Sequence, residues 1–322
     1  MASIRTLNSL PASIARYGRI SKITAPITAY RTFSSSTLRL DPEPFKDGRD
    51  PRTGPVSTST EKVYPNFSLR DKAYVVTGGG RGLGLTIAEA MVQAGAQVHC
   101  FDRLDTPHPD FALAQEASKT LEGSIHYHHV DVRDKQHLNK TISNITKEHG
   151  QIDGLVAAAG IQRVKDAVDH TPQDVADLMD VNFTGVFMSA NAVAQQMMNI
   201  KRPGSIVLVA SMSGMIANKG LTCPAYNASK AAVIQLTRNL AMEWGKHGIR
   251  VNALCPGHII TPMVQKNFEE VPGLKETWEK ENMLGRLAVP EEFTGATIFM
   301  LSPASSFMTG SCLVVDGGHT AW

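Results

Sequence analysis

The chain predicts an α/β fold: one doubly wound parallel sheet with helices on both faces. Two observations carry this prediction. From residue 71 to the carboxyl end, short apolar segments alternate with longer stretches of helical character, the order that yields parallel strands joined by helical crossovers. The first such unit also has a glycine-rich turn between its strand and its helix, as a phosphate-cradling crossover requires. The 322 residues suffice to bury a full core, and the unbroken alternation predicts one domain over residues 65–322.

Asp71-Lys-Ala-Tyr-Val-Val-Thr77 gives a buried first strand, Ala73–Thr77. Thr77-Gly78-Gly79-Gly80-Arg81-Gly82-Leu83-Gly84 follows, then an amphipathic run from Leu85 to Ala94 that Gly95 stops. Glycines let backbone approach a pyrophosphate, and the helix amino end turns free N–H groups and positive dipole towards it. The second strand, Gln97–Asp102, ends in an acid 18 residues after Gly84, where a carboxylate suits both hydroxyls of an adenosine ribose. His126–Asp131, Gly154–Ala158, Gly204–Ala210, Arg250–Cys255 and Leu313–Asp316 complete the predicted sheet. No internal repeat and no 18-residue apolar run occurs, so no membrane-spanning helix is expected.

Downstream, Ser211-Met-Ser-Gly precedes Tyr226-Asn-Ala-Ser-Lys230. Tyrosine and lysine four apart on a helix share a face. A phenol, with a reference pKa of about 10, is a poor base at neutral pH; a neighbouring ammonium favours the phenolate and is expected to lower that pKa. A serine hydroxyl beside the phenol binds the oxygen of a carbonyl or alcohol. Together they move a proton on and off a carbinol oxygen.

Thr-Gly-x-x-x-Gly-x-Gly with a downstream Tyr-x-x-x-Lys resembles the short-chain dehydrogenase/reductase family, whose fold is Rossmann-type, over about residues 65 to 322. Asp131-Val132, Asn182, Pro256-Gly257 with Thr261, and Asp316-Gly317-Gly318 match further family motifs in order. The resemblance implies NAD, with NADP as the alternative, lying over Thr77, Gly78, Arg81, Gly82, Leu83 and Gly84. It places the adenine at Asp131 and Val132, and the nicotinamide end by Ala159, Gly160, Pro256, Gly257, Ile259 and Thr261. It makes Tyr226 the acid/base and Ser211 the group that orients the reacting oxygen. Lys230 holds the nicotinamide ribose, and Asn182 holds a water linking Lys230 to solvent. Asp102 opposes a 2′-phosphate and favours NAD, while Arg81 and Arg103 favour one. One motif departs: the family's Asn-Asn-Ala-Gly reads Ala157-Ala158-Ala159-Gly160. The hydrogen bonds of the missing asparagine must come from elsewhere.

The 15-residue interval from Ser211 to Tyr226 is longer than is usual in the family, and its Ala217–Pro224 segment is expected to shape the pocket. That interval, Ala241-Met-Glu-Trp-Gly and the terminal Trp322 resemble fungal polyol dehydrogenases, the D-arabinitol/D-ribulose subgroup above all. A 3-oxoacyl-thioester reductase and a cofactor-binding scaffold without turnover are the alternatives. The resemblance also implies a homotetramer. Residues 262–290 lie where the family places a lid; Met263, Phe268, Trp278 and Met283 are expected to line an apolar wall or to pack in the core. His258, directly after Pro256-Gly257, reads as a loop histidine, with a place facing the pocket as the alternative; Ser229 reads as a packing or capping residue, and Cys223 as a packing residue, with a place near the substrate pocket as the alternative.

Residues 1–40 hold six basic residues, seven serines and no acid, the composition of an organelle transit peptide. Arg31-Thr-Phe33-Ser34 resembles a mitochondrial processing site, so the expected address is the mitochondrial matrix; a basic tail on a cytoplasmic protein is the alternative. Residues 41–64, with Pro42, Pro44, Pro51 and Pro55, read as a disordered linker. The net charge of +2 depends on the leader: without its six basic residues, 26 basic face 30 acidic, a net of −4. No basic patch interleaved with aromatics points to nucleic acid. The four cysteines form no Cys-x-x-Cys pair, and no Cys/His cluster has metal-ligand spacing. The expected partner is a small-molecule substrate.

Overall fold

The computed structural model describes residues 65–322; the predicted leader (1–40) and linker (41–64) lie outside the described residues. The strands are β1 (Ala73–Thr77), β2 (Gln97–Asp102), β3 (Ser124–His129), β4 (Gly154–Ala157), β5 (Gly204–Val209), β6 (Ile249–Pro256) and β7 (Cys312–Val315). They form one sheet in the order β3-β2-β1-β4-β5-β6-β7, every pair parallel. The order reverses between β1 and β4, so a crevice opens there at the carboxyl ends of the strands, where ligands of such sheets bind.

Alternation along the strands divides the core. Val75, Phe101, Leu155, Ile206 and Val251 face α3 (Lys135–His149), α5 (Val186–Asn199) and α6 (Pro224–Trp244). Val76, Cys100, Val156, Val207 and Leu254 face α1 (Gly82–Gln93) and α9 (Thr294–Leu301). Helix α2 (Pro109–Ser118) covers β3, α4 (Pro172–Met179) precedes α5, and α7 (Pro262–Glu270) and α8 (Leu274–Glu281) stand beside the crevice. A third apolar cluster joins Leu221 and Cys223 of the inserted segment to Leu274, Trp278 and Leu287.

Strands β4 to β7 lie within one residue of their expected bounds, while β3 and the start of α1 move further. Strand β3 begins and ends two residues earlier than predicted, because Ser124 pairs with Gln97 and His129 with Asp102. Asp131 lies past the strand and turns its carboxylate onto Arg133, 2.6 Å away. Helix α1 starts at Gly82 rather than Leu85, because its first turn is made of the glycines and not of the apolar stripe.

A histidine cluster lies under the β2–β3 edge. His99 is 3% exposed, with Nδ1 3.0 Å from His128 Nε2 and Nε2 3.0 Å from His149 Nε2. Burial and the neighbouring imidazoles push His99 down to about 3, and burial lowers His126 and His128 as well. A histidine whose folded pKa lies below its unfolded value of about 6.5 binds fewer protons in the fold. Its stabilisation is present above about 6.5 and is lost as pH falls towards the folded value. For His99 the loss is about 1.4 kcal/mol per pH unit in that window. Urea midpoints are therefore expected to drop between pH 7.5 and pH 5.5, and equal midpoints would contradict this.

Candidate active site

The glycine-rich turn folds against its own neighbours. Gly78 and Gly82 take positive φ of 69° and 56°, a region that favours glycine. A Cβ at Gly84 would stand 2.2 Å from the Gly78 carbonyl oxygen, and one at Gly78 would stand 2.9 Å from the Ala159 backbone. The Ala159 N–H donates to Thr77 Oγ1 at 3.3 Å and the Ala158 N–H to the Thr77 carbonyl at 3.1 Å. Thr77 thus ties β1 to the Ala157–Gly160 turn where the expected asparagine is missing. The Gly80 N–H donates to Asp102 Oδ2 at 3.2 Å and the Leu104 N–H to Oδ1 at 3.4 Å, so the acid ending β2 rests against the turn. Arg81 and Arg103 are exposed on either side.

Helix α6 carries Tyr226 and Lys230 on one face, with Lys230 Nζ 5.6 Å from the centre of the phenol ring. Lys230 is buried and donates to the Val209 carbonyl at the end of β5, 2.8 Å away. Ser211, just after β5, lines the same cavity as the phenol; its Oγ accepts the Ser213 N–H at 3.1 Å and lies 3.5 Å from the Pro256 carbonyl. The expected serine, tyrosine and lysine therefore meet. The expected direction of the phenol's shift is reversed, however. Burial pushes Tyr226 up to about 12, against the downward pull of Ser211, and burial brings Lys230 down to about 8. Lys230 Nζ is not among the groups that move the phenol, and desolvation is the largest cause of its shift.

Asn182 sits in a π-helical turn, Asp180–Gly185, between α4 and α5, an irregularity frequent at functional sites. Its Oδ1 accepts the Ile161 N–H at 2.8 Å; its Nδ2 donates to the Ile161 carbonyl at 2.9 Å and to Ser229 Oγ at 3.1 Å. Ser229 in turn donates to the Tyr226 carbonyl at 2.7 Å. These bonds clamp the segment after Gly160 to helix α6. Gly257 is pressed on Asp316, where a Cβ would stand 2.6 Å from Cα. Ile259 bridges to Ala288, Thr261 caps α7 by accepting the Val264 N–H at 3.3 Å, and Val132 packs against Gly185.

A cavity of about 180 Å³ opens over this set. Its lining includes Leu83, Gly160 and Thr261, the polar side chains of Gln162, Ser213, Asn218 and His258, and the apolar ones of Val264 and Trp278. Of the lid candidates, Trp278 lines the cavity, Phe268 packs edge-on to it at 5.7 Å, and Met283 is exposed. The Trp278 indole N–H donates to the Lys219 carbonyl at 3.1 Å, so the inserted segment holds α8 in place. His258 is buried against Trp278 rather than carried on an open loop. The sequence marked it only by its place after Pro256-Gly257, and nothing marked Gln162. Cys223 packs in the third cluster, as expected, its thiol pushed up to about 11 by burial.

The chain matches known proteins over nearly all of the described residues. A family profile described as enoyl-(acyl carrier protein) reductase covers residues 78–320. Galactitol 2-dehydrogenase of Rhizobium johnstonii is 39% identical over 260 residues, 80% of this chain and 98% of the relative. The ribulose-forming D-arabinitol 2-dehydrogenase of Scheffersomyces stipitis is 35% identical over 276 residues, 82% of this chain and 99% of the relative. A short-chain type dehydrogenase/reductase from Mycobacterium marinum superposes with a TM-score of 0.74 at 36% identity, covering 80% of this chain and 98% of that one. A gluconate 5-dehydrogenase from Burkholderia cenocepacia, in complex with NADP and tartrate, does so at 0.73 and 32%, with the same coverage. With the glycine turn, the Tyr226–Lys230 pair and these relatives together, the chain belongs to the short-chain dehydrogenase/reductase family of nicotinamide-dependent oxidoreductases.

Proposed function

We propose that the protein is an NAD-dependent dehydrogenase of a polyol or sugar, interconverting a secondary alcohol and a ketone of the D-arabinitol/D-ribulose type. The observation that carries this reading is that Gln162, Ser213, Asn218 and His258 line the same cavity as Ser211, Tyr226 and Lys230. A substrate with hydroxyls beyond the reacting carbon finds partners there. The polyol names of two relatives support it.

The residues present fit a nicotinamide dinucleotide. The Gly78–Gly84 turn and the amino end of α1 would hold its pyrophosphate, Asp102 the adenosine ribose, Asp131 and Val132 the adenine, and Ala159, Gly160, Pro256, Gly257, Ile259 and Thr261 the nicotinamide end. When bound, the nicotinamide supplies the hydride acceptor or donor. The protein moves the proton. In alcohol oxidation Tyr226 Oη takes it from the substrate hydroxyl while Ser211 Oγ holds that oxygen. Lys230 holds the nicotinamide ribose and lends positive charge beneath the phenol. Asn182 fixes the frame through Ile161 and Ser229.

The second reading is a 3-oxoacyl-thioester reductase; the family profile's description, an enoyl-(acyl carrier protein) reductase, shares the acyl thioester but names a different reduction. Turnover of D-arabinitol with NAD, set against acetoacetyl thioester with NADPH, separates the two; activity on the thioester alone overturns the polyol reading.

The acid-free, arginine-rich leader directs the chain to the mitochondrial matrix. A fluorescent protein fused behind residues 1–45 is expected in mitochondria, and a cytosolic signal would contradict the address. The active form is a homotetramer, a reading supported by family resemblance and by the prevalence of closed symmetry. Light scattering at micromolar concentration is expected to give four times the protomer mass, against a single mass for a monomer.

A further inference from the structure

His258 is fixed on every side. Its ring lies flat on Trp278, centroids 3.6 Å apart and 6° from parallel, with His319 edge-on at 5.0 Å. His319 is itself held, Nδ1 2.8 Å from Asn282 Oδ1. The His258 carbonyl accepts the Ala288 N–H at 3.0 Å. The side chain borders the cavity above Tyr226 and is 8% exposed, yet its Nε2 has no hydrogen-bond partner among the described residues. A buried polar nitrogen left without a partner is unfavourable. Packing alone does not call for an imidazole here, since a phenyl ring would stack on Trp278 as well. Burial, with His319 beside it, pushes the imidazole down to about 3. It is therefore neutral at any working pH, with one donor and one acceptor, the complement of a hydroxyl.

We propose that His258 is a specificity-determining residue, its free ring nitrogen hydrogen-bonding a second hydroxyl of the substrate near the reacting carbinol, with Trp278 as the apolar floor. The proposal rests on the polyol reading of the site. Nε2 is shielded from solvent, so a substrate hydroxyl meets it after a small rotation of the imidazole at the cavity edge rather than by movement of Trp278, whose indole is tied to Lys219. A site whose buried polar group is satisfied only by a substrate hydroxyl rejects analogues lacking that hydroxyl.

The test compares kcat/KM for D-arabinitol and for cyclohexanol, a secondary alcohol with no second hydroxyl, in wild type, His258→Phe and His258→Asn. Wild type is expected to prefer D-arabinitol by tenfold or more. In His258→Phe the ratio is expected to fall roughly ten- to a hundredfold, mainly through KM for D-arabinitol. His258→Asn, which keeps a donor and an acceptor, restores part of it. An unchanged ratio in a folded His258→Phe, or a wild type that does not discriminate, overturns the inference while leaving the polyol reading in place. A wild type that turns over no polyol overturns both.

Discussion

Tyr226→Phe is expected to lower kcat for D-arabinitol by roughly 10²–10⁴, the range for a positioned acid/base, while NAD binding stays close to wild type. The substitution removes only the phenol hydroxyl and leaves the ring over Lys230. A loss confined to kcat, with cofactor affinity retained, identifies an interaction made in the transition state. Near wild-type turnover would remove Tyr226 from the chemistry. The pH profile adds a sign. With the phenol pushed up to about 12 and Lys230 down to about 8, alcohol oxidation should quicken as pH rises, because the pair must take up a proton. Carbonyl reduction should show the opposite trend.

Asp102→Ala is expected to turn the cofactor preference. The carboxylate is held by the Gly80 and Leu104 N–H groups at the mouth of the turn, where on the proposed reading it would accept hydrogen bonds from ribose hydroxyls and repel a 2′-phosphate. Losing a charged hydrogen-bond partner costs about 1.5–3 kcal/mol. The ratio of kcat/KM for NAD over NADP should therefore fall roughly ten- to a hundredfold, with exposed Arg103 and Arg81 free to meet the phosphate. The gluconate dehydrogenase with NADP bound shows that family members of this fold accept the phosphorylated cofactor. A wild type that already prefers NADP would mean that the arginines outweigh Asp102.

Much of this was legible in the sequence because the relevant signals are local. Strand alternation, the Gly78–Gly84 turn and the Tyr226–Lys230 spacing each report on a few neighbouring residues, and the sheet and the serine–tyrosine–lysine meeting follow from them. The boundary of β3 did not, since register is set by the partner strand and Asp102 fixes where pairing stops. The direction of the Tyr226 shift also escaped, because burial is a property of the packed site and outweighs a charge that spacing alone suggests. The clamp made by Asn182 through Ile161 and Ser229 joins residues 21 and 47 apart, and no spacing rule announces it. His258 shows the same limit: its ring gains meaning only from Trp278 and His319, which reach it from distant segments.

The central claim is direct hydride transfer from a polyol carbon at the Tyr226–Ser211–Lys230 site. Oxidation of D-arabinitol deuterated at C2, in ordinary water with NAD, measures it. The account predicts one deuterium on C4 of the NADH formed and a product ketone without it. Deuterium lost to water, or no NADH from any polyol, would contradict it.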